Sequence, residues 1–192
     1  MMLELAYNTT TMGLSLVAGD VLAATAEALV LTVDGIKRGM EGALARQFER
    51  RWPDDWTDIS RTVKYPIPLG RAVGIEWDGD CPWRLIILAS TLHHIEAIDD
   101  GAKRQVVRSA FGEVLQIGHR HRCRSLATTV MRGGWRLSLV DAYSSMFAAY
   151  QASTASQSSM AVQIFFVNAD DLVLLRQYKL AELQRYLNKD IH

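Results

Sequence analysis

The sequence lacks long apolar runs. None approaches the roughly 18 residues that a membrane-crossing helix needs. Its first residues, MMLELAYNTT, lack the basic stretch of a secretory signal and carry Glu4, so the expected location is the cytoplasm. Cysteine is scarce: Cys81 and Cys123 stand alone, with no CxxC pair, which argues against a zinc site or a disulfide framework. One long-range bridge between them stays open, and free thiols in a reducing compartment are the expectation. There is no excess of either charge, because 21 Lys and Arg face 21 Asp and Glu. Without a global basic field, nucleic acid is not an expected partner. Walker A, GxGxxG and GxSxG signatures are all missing. The histidines His93-His94 and His119/His121 do not have HExxH-like spacing, so neither a metal nor a cofactor is expected.

What is present reads as one globular domain spanning residues 1–192, with 49% hydrophobic residues to build a full core. Residues 3–7 and 13–18 alternate like strands, and a short helical segment is expected at 21–26. Residues 27–33 are apolar throughout, as in a central strand covered on both faces. A helix is expected over 40–51, ended by Pro53, and then an irregular stretch, 52–70, with two tryptophans. Strands at 71–77 and 84–91 flank an Asp78-Gly79-Asp80 hairpin turn. A helix follows over 100–118, capped by Asp99 or Asp100 and closed by Gly118. Then come a strand at 125–131, a helix at 138–152, a strand at 161–168 and a last helix at about 170–187. This order predicts a three-layer α/β/α sandwich around a mixed, mostly parallel central sheet.

Two glycine loops stand out. Gly35, Gly39 and Gly42 lie between the apolar strand and the next helix, and Arg132-Gly133-Gly134-Trp135-Arg136 repeats that arrangement further along. Glycines let backbone N–H groups approach an anion, and a helix N-terminus adds positive potential. Tight turns would need glycines too. In open α/β sheets ligands sit outside the C-terminal ends of the parallel strands, which directs attention to loops 34–42, 91–94 and 131–136.

Gly19-Asp20-Val21-Leu22, the apolar strand, and Arg38-Gly39-Met40-Glu41-Gly42-Ala43-Leu44 together resemble the opening of a macro domain, a family that binds ADP-ribose. The resemblance covers about residues 12 to 175 and implies a macro-domain-like fold. It departs from the family in several places: the loop leading to the glycines is a few residues short, and Glu41 stands where the family's hydrolases carry Asp. Leu31 stands where the family carries its first Asn, and Asp34 where it carries the second.

The resemblance implies the following site. Asp20, with Val21, would accept from the adenine amino group, although Asp20 would also serve as a plain helix cap. Backbone amides of Gly39, Met40, Gly42, Gly133, Gly134 and Trp135 would hold the diphosphate, and Met131 and Arg132 would belong to the second loop. Phe166 and Asn168 end the last strand where the family stacks a residue on adenine. Asp34 would lie at the distal ribose, and Glu41 would activate a water there. The partner implied is ADP-ribose or an ADP-ribosylated substrate, with hydrolysis of the linkage as one outcome. A non-catalytic reader, favoured by Leu31, and an interaction protein with a degenerate pocket are the alternatives.

Overall fold

The structure, a computed structural model, describes residues 13–37, 42–95, 97–132, 137–154 and 160–178, with no side-chain description at Thr154. The strand expected at 3–7 lies outside these residues. Six strands form one sheet: β1 (Leu14–Ala18), β2 (Ala28–Asp34), β3 (Ala72–Glu76), β4 (Leu85–Leu92), β5 (Ser125–Thr129) and β6 (Ala161–Phe166). Their order is β1-β6-β5-β2-β4-β3. All neighbours run parallel except β3, which pairs antiparallel with β4 at the edge. Helices α1 (Ala43–Arg51) and α2 (Pro53–Thr62) pack on one face, and α3 (Asp100–Arg120) and α4 (Leu139–Thr154) on the other. A fifth helix, α5 (169–178), joins the second layer through Leu172 and Leu175.

The continuous apolar run of β2 follows from this layering. Ala28 and Val30 enter the core under α3 and α4, while Leu29, Leu31 and Val33 enter the core under α1 and α2. β4 divides in the same way, with Leu85, Ile87 and Ala89 on one side and Ile86 and Leu88 on the other. A central parallel strand has no solvated face, so its sequence cannot alternate.

Two expectations change. Residues 52–70 are not irregular throughout, since α2 fills their first half. Pro53 ends α1 and also opens α2 at its first position, where its missing N–H costs nothing. Trp56, Ile59 and Val63 then give that helix a buried stripe. Its tryptophans pack into the protein. Phe48 lies 5.1 Å from Trp52 and 6.0 Å from Trp56, and Trp52 meets Trp83 edge-on at 5.2 Å. The second change is at Gly118, which does not close α3, because the helix continues to Arg120. A Cβ at Gly118 would stand 2.8 Å from Met160 Sδ, so this glycine permits close packing of the helix on the chain entering β6. Asp99 is the N-cap, accepting from Ala102 N–H at 2.7 Å.

Candidate functional site

Five parallel strands end on the same rim, and their following loops carry Asp20 (after β1), Asp34 (ending β2), His93 and His94 (after β4), Met131 and Arg132 (after β5), and Val167 and Asn168 (after β6). This rim is the candidate site.

The helix N-termini differ in how they are closed. Asp99 caps α3. At α4, Ser138 Oγ accepts from Asp141 N–H at 3.0 Å and donates to Asp141 Oδ2 at 2.7 Å. Asn168 Oδ1 accepts from Asp170 N–H at 3.0 Å at the head of α5. α2 begins with Pro53 and carries Asp54 and Asp55 in its first turn. α1 has neither device: its N-cap is Gly42, with no capping side chain and no acidic residue in the first turn. Gly42 is pressed against the sheet, where a Cβ would stand 3.0 Å from the Thr32 carbonyl oxygen. Among the described residues no side chain caps the start of α1, which follows β2 on this rim.

At the β1 end, Gly19 N–H donates to Phe166 O at 2.9 Å, joining the turn to β6. Asp20 Oδ1 accepts from Leu22 N–H at 2.9 Å and caps a short 3-10 turn, Val21–Ala23. Asp20 Oδ2 accepts from Arg51 Nη2 at 3.1 Å, and the carboxylate stays 42% exposed, with lone pairs left for a ligand. Val21 is buried and packs under α1 and α2. Phe166 enters the opposite core, under α3 and α4, so its ring lies across the sheet from Val21. The apolar residue left exposed there is Val167, 82% accessible, and Asn168 is occupied as the α5 cap.

At the centre, Asp34 is buried, and Leu31 lies in the core under α1 and α2, away from the rim. Asp34 Oδ1 accepts from Ile36 N–H at 3.0 Å, and Oδ2 accepts from His94 N–H at 3.0 Å. In the second loop, Met131 is fully buried and its N–H points at Met146 Sδ at 3.3 Å. Arg132 spends its Nε on Leu137 O at 2.9 Å, and Leu137 N–H returns to Arg132 O at 3.3 Å, closing the base of the loop. Gly39, Met40, Glu41, Gly133, Gly134 and Trp135 lie outside the described residues.

Sequence reasoning missed His94 as a site residue. Asp34 and His94 are 60 residues apart, and only the register of β2 on β4 joins them. Val167 was passed over for its aromatic neighbour, because alternation in β6 cannot say which residue is first beyond the sheet. Among the described residues no cluster of three or more His, Cys, Asp or Glu side chains could hold a metal. No helix among them is long and apolar enough to cross a membrane. Cys81 and Cys123 are both free and buried. One open groove of about 750 Å³ lies at the opposite rim, where β2 and β5 begin, lined by the 22–27 segment, Pro82, Arg124 and Ser125. It is away from the strand ends that concentrate the polar groups described above.

This arrangement defines an α/β/α domain with its candidate site at the C-terminal ends of parallel strands. Within that class the chain has the macrodomain fold. The Oceanobacillus iheyensis macrodomain, in a structure with ADP, matches at a TM-score of 0.75 and 12% identity, over 90% of this chain and 92% of that one. A mutant of the same domain has been solved with ADPR. The macrodomain of Thermus aquaticus DarG matches at 0.63 and 22% identity, over 80% of this chain and 97% of that one. An alphavirus P23pro-zbd protein matches at 0.67 and 17% identity over 90% of this chain, which spans only 24% of the length of that protein. No protein-family model and no curated protein matches the sequence. At these identities the likeness is one of fold.

Proposed function

We propose that this protein binds ADP-ribose across the C-terminal rim of its sheet. The N-terminus of α1 beside the end of β2 carries this reading: among the described residues no side chain caps it and its first turn holds no acidic residue, which suits a diphosphate. The Oceanobacillus structures with ADP and ADPR support it, since their fold is the one found here. Asp20 would accept from the adenine amino group with its exposed carboxylate, and Val167 offers an apolar surface for the ring at the same end. The free, buried thiols fit a reducing cytoplasm, the location we propose.

Calorimetric titration with ADP-ribose, AMP, NAD and ATP tests the reading. Saturable binding that prefers ADP-ribose, weakened about tenfold in Asp20→Ala, is the expected result. Absence of heat with every nucleotide from a folded sample would overturn it.

Cleavage of an ADP-ribosyl linkage is a separate step and needs a carboxylate able to activate water. Asp34 is poorly suited, being buried with both oxygens already accepting hydrogen bonds. Glu41, at the entry to α1, is the remaining candidate. If it is the base, Glu41→Gln stops release of ADP-ribose from a modified protein while leaving ADP-ribose affinity within about twofold, a difference of ~0.4 kcal/mol.

A further inference from the structure

The buried carboxylate ending β2 and the imidazole beside it carry an inference that deepens the binding reading and rests on it. The β2–β4 register shifts between Val33 and Asp34, pairing Val33 with Ser90 but Asp34 with Leu92. Irregularities of this kind at strand ends re-aim side chains. Here Asp34 Oδ2 reaches both His94 N–H, at 3.0 Å, and His94 Nδ1, at 2.9 Å. The carboxylate is 4% exposed and the imidazole 36%.

An ionised carboxylate only accepts, so in the neutral imidazole the hydrogen sits on Nδ1 and Nε2 keeps its lone pair. Nε2 has no partner among the described residues. His93, one position earlier, is arranged differently: it is buried, with Nε2 at 2.9 Å from Ile67 O. Of the two adjacent histidines, only His94 can meet a ligand.

Position on the rim indicates which part of the ligand it meets. Asp20 follows β1, the amides of α1 follow β2, and His94 follows β4. From β1 to β4 is four strand spacings, roughly 19 Å. An elongated ligand with its base at Asp20 and its diphosphate at α1 places its far end at His94. A neutral imidazole nitrogen accepts, which selects a donor there. Phosphate oxygens do not donate at neutral pH, whereas the hydroxyls of a pentose do.

We infer that His94 Nε2 accepts a hydrogen bond from a hydroxyl of the ligand's second pentose, and that Asp34 is the positioning residue behind it. Asp34 does not itself touch the sugar. It fixes the tautomer and direction of the ring, as outer carboxylates do for other working histidines.

The test compares ADP-ribose with ADP, which lacks the second pentose, by calorimetry on the wild type, His94→Asn and His94→Gln. Asn places its amide N–H near the Nδ1 position and preserves the bond to Asp34, so the loop stays anchored. Gln extends its amide to where Nε2 was. His94→Asn is expected to weaken ADP-ribose about tenfold and leave ADP unchanged, while His94→Gln recovers part of the loss. In nitrogen-15 spectra of the wild type, the His94 Nε2 resonance is expected to shift with ADP-ribose but not with ADP. Equal losses for both ligands, or unaltered ADP-ribose affinity in His94→Asn, would overturn the inference and leave the binding reading standing. Failure of the wild type to bind either ligand would overturn the binding reading, and the inference with it.

Discussion

At the scale of single residues, the glycines of the first loop have different reasons to be there. Gly35 has a structural one. A Cβ at this position would stand 2.1 Å from Ser90 Oγ and 2.3 Å from the Ile67 carbonyl oxygen. Gly35 also exchanges backbone bonds with both flanks, donating to Leu92 O at 3.0 Å and accepting from Ile67 N–H at 2.7 Å. The crowding atoms include backbone, so little can give way. Gly35→Ala is expected to destabilise the fold by about 3 kcal/mol, at the upper end of overpacking costs, read as a lowered urea midpoint with unchanged slope. From the sequence, Gly35, Gly39 and Gly42 looked alike, all candidates for backbone approach to phosphate. The reason for Gly35 was illegible because Ser90 and Ile67 are distant in sequence, and only the folded register brings them against it. The same limit hid the bond between Asp34 and His94. Asp20 was more legible, since its capping bond spans only two residues.

At the scale of elements, the strands were legible and the first helical layer was only partly so. Buried parallel strands advertise themselves as apolar runs, and β2 and β4 fell where those runs are. α2 was obscured because Pro53 and the paired aspartates of WPDDW look like a loop, although proline and acidic residues also open helices. The structure shows the purpose of one of those aspartates. Asp55 is buried, with Oδ2 accepting from Cys81 N–H at 2.7 Å and Oδ1 from Asp80 N–H at 3.2 Å. It thereby ties the start of α2 to the chain between β3 and β4. The burial around it also pushes the Cys81 thiol up to about 12. Removing the carboxylate leaves the buried Cys81 amide without its acceptor. Asp55→Ala is therefore expected to cost about 2–3 kcal/mol, the range for an orphaned buried donor, measured by thermal or denaturant unfolding. Asp54→Ala, one residue away and exposed, serves as the control and is expected to stay within about 0.5 kcal/mol.

At the scale of the whole molecule, the two rims of the sheet have different jobs. The C-terminal rim carries the polar groups of the proposed site, whereas the N-terminal rim spends its charges on holding strands together. Glu27 precedes β2 and accepts from Arg84 Nη2 at 2.9 Å, from Arg124 N–H at 2.9 Å and from Arg124 Nε at 2.8 Å. Arg84 also donates to His121 O and Arg122 O, each at 3.1 Å, so this one carboxylate links the starts of β2, β4 and β5 with the end of α3. The bonds from Arg124, helped by Arg84, hold its carboxyl well below the ordinary 4.5, at about 2. In the unfolded chain the same group takes up its proton near its ordinary value. Between these values the unfolded state binds more protons, so stability falls as pH falls. The contribution of Glu27 is therefore complete above about pH 4.5 and lost on acidification toward about 2. In Glu27→Gln that part of the acid sensitivity should disappear. Urea midpoints of wild type and variant, followed from neutral pH downward, should lie farthest apart at neutral pH and converge below 4.5. A gap that stays constant with pH would mean that the carboxylate's charge contributes nothing. Because the triad lies at the opposite end of the strands from Asp20, α1 and His94, the variant should bind ADP-ribose as the wild type does at neutral pH. A parallel loss of affinity would show that the two rims are coupled through the sheet.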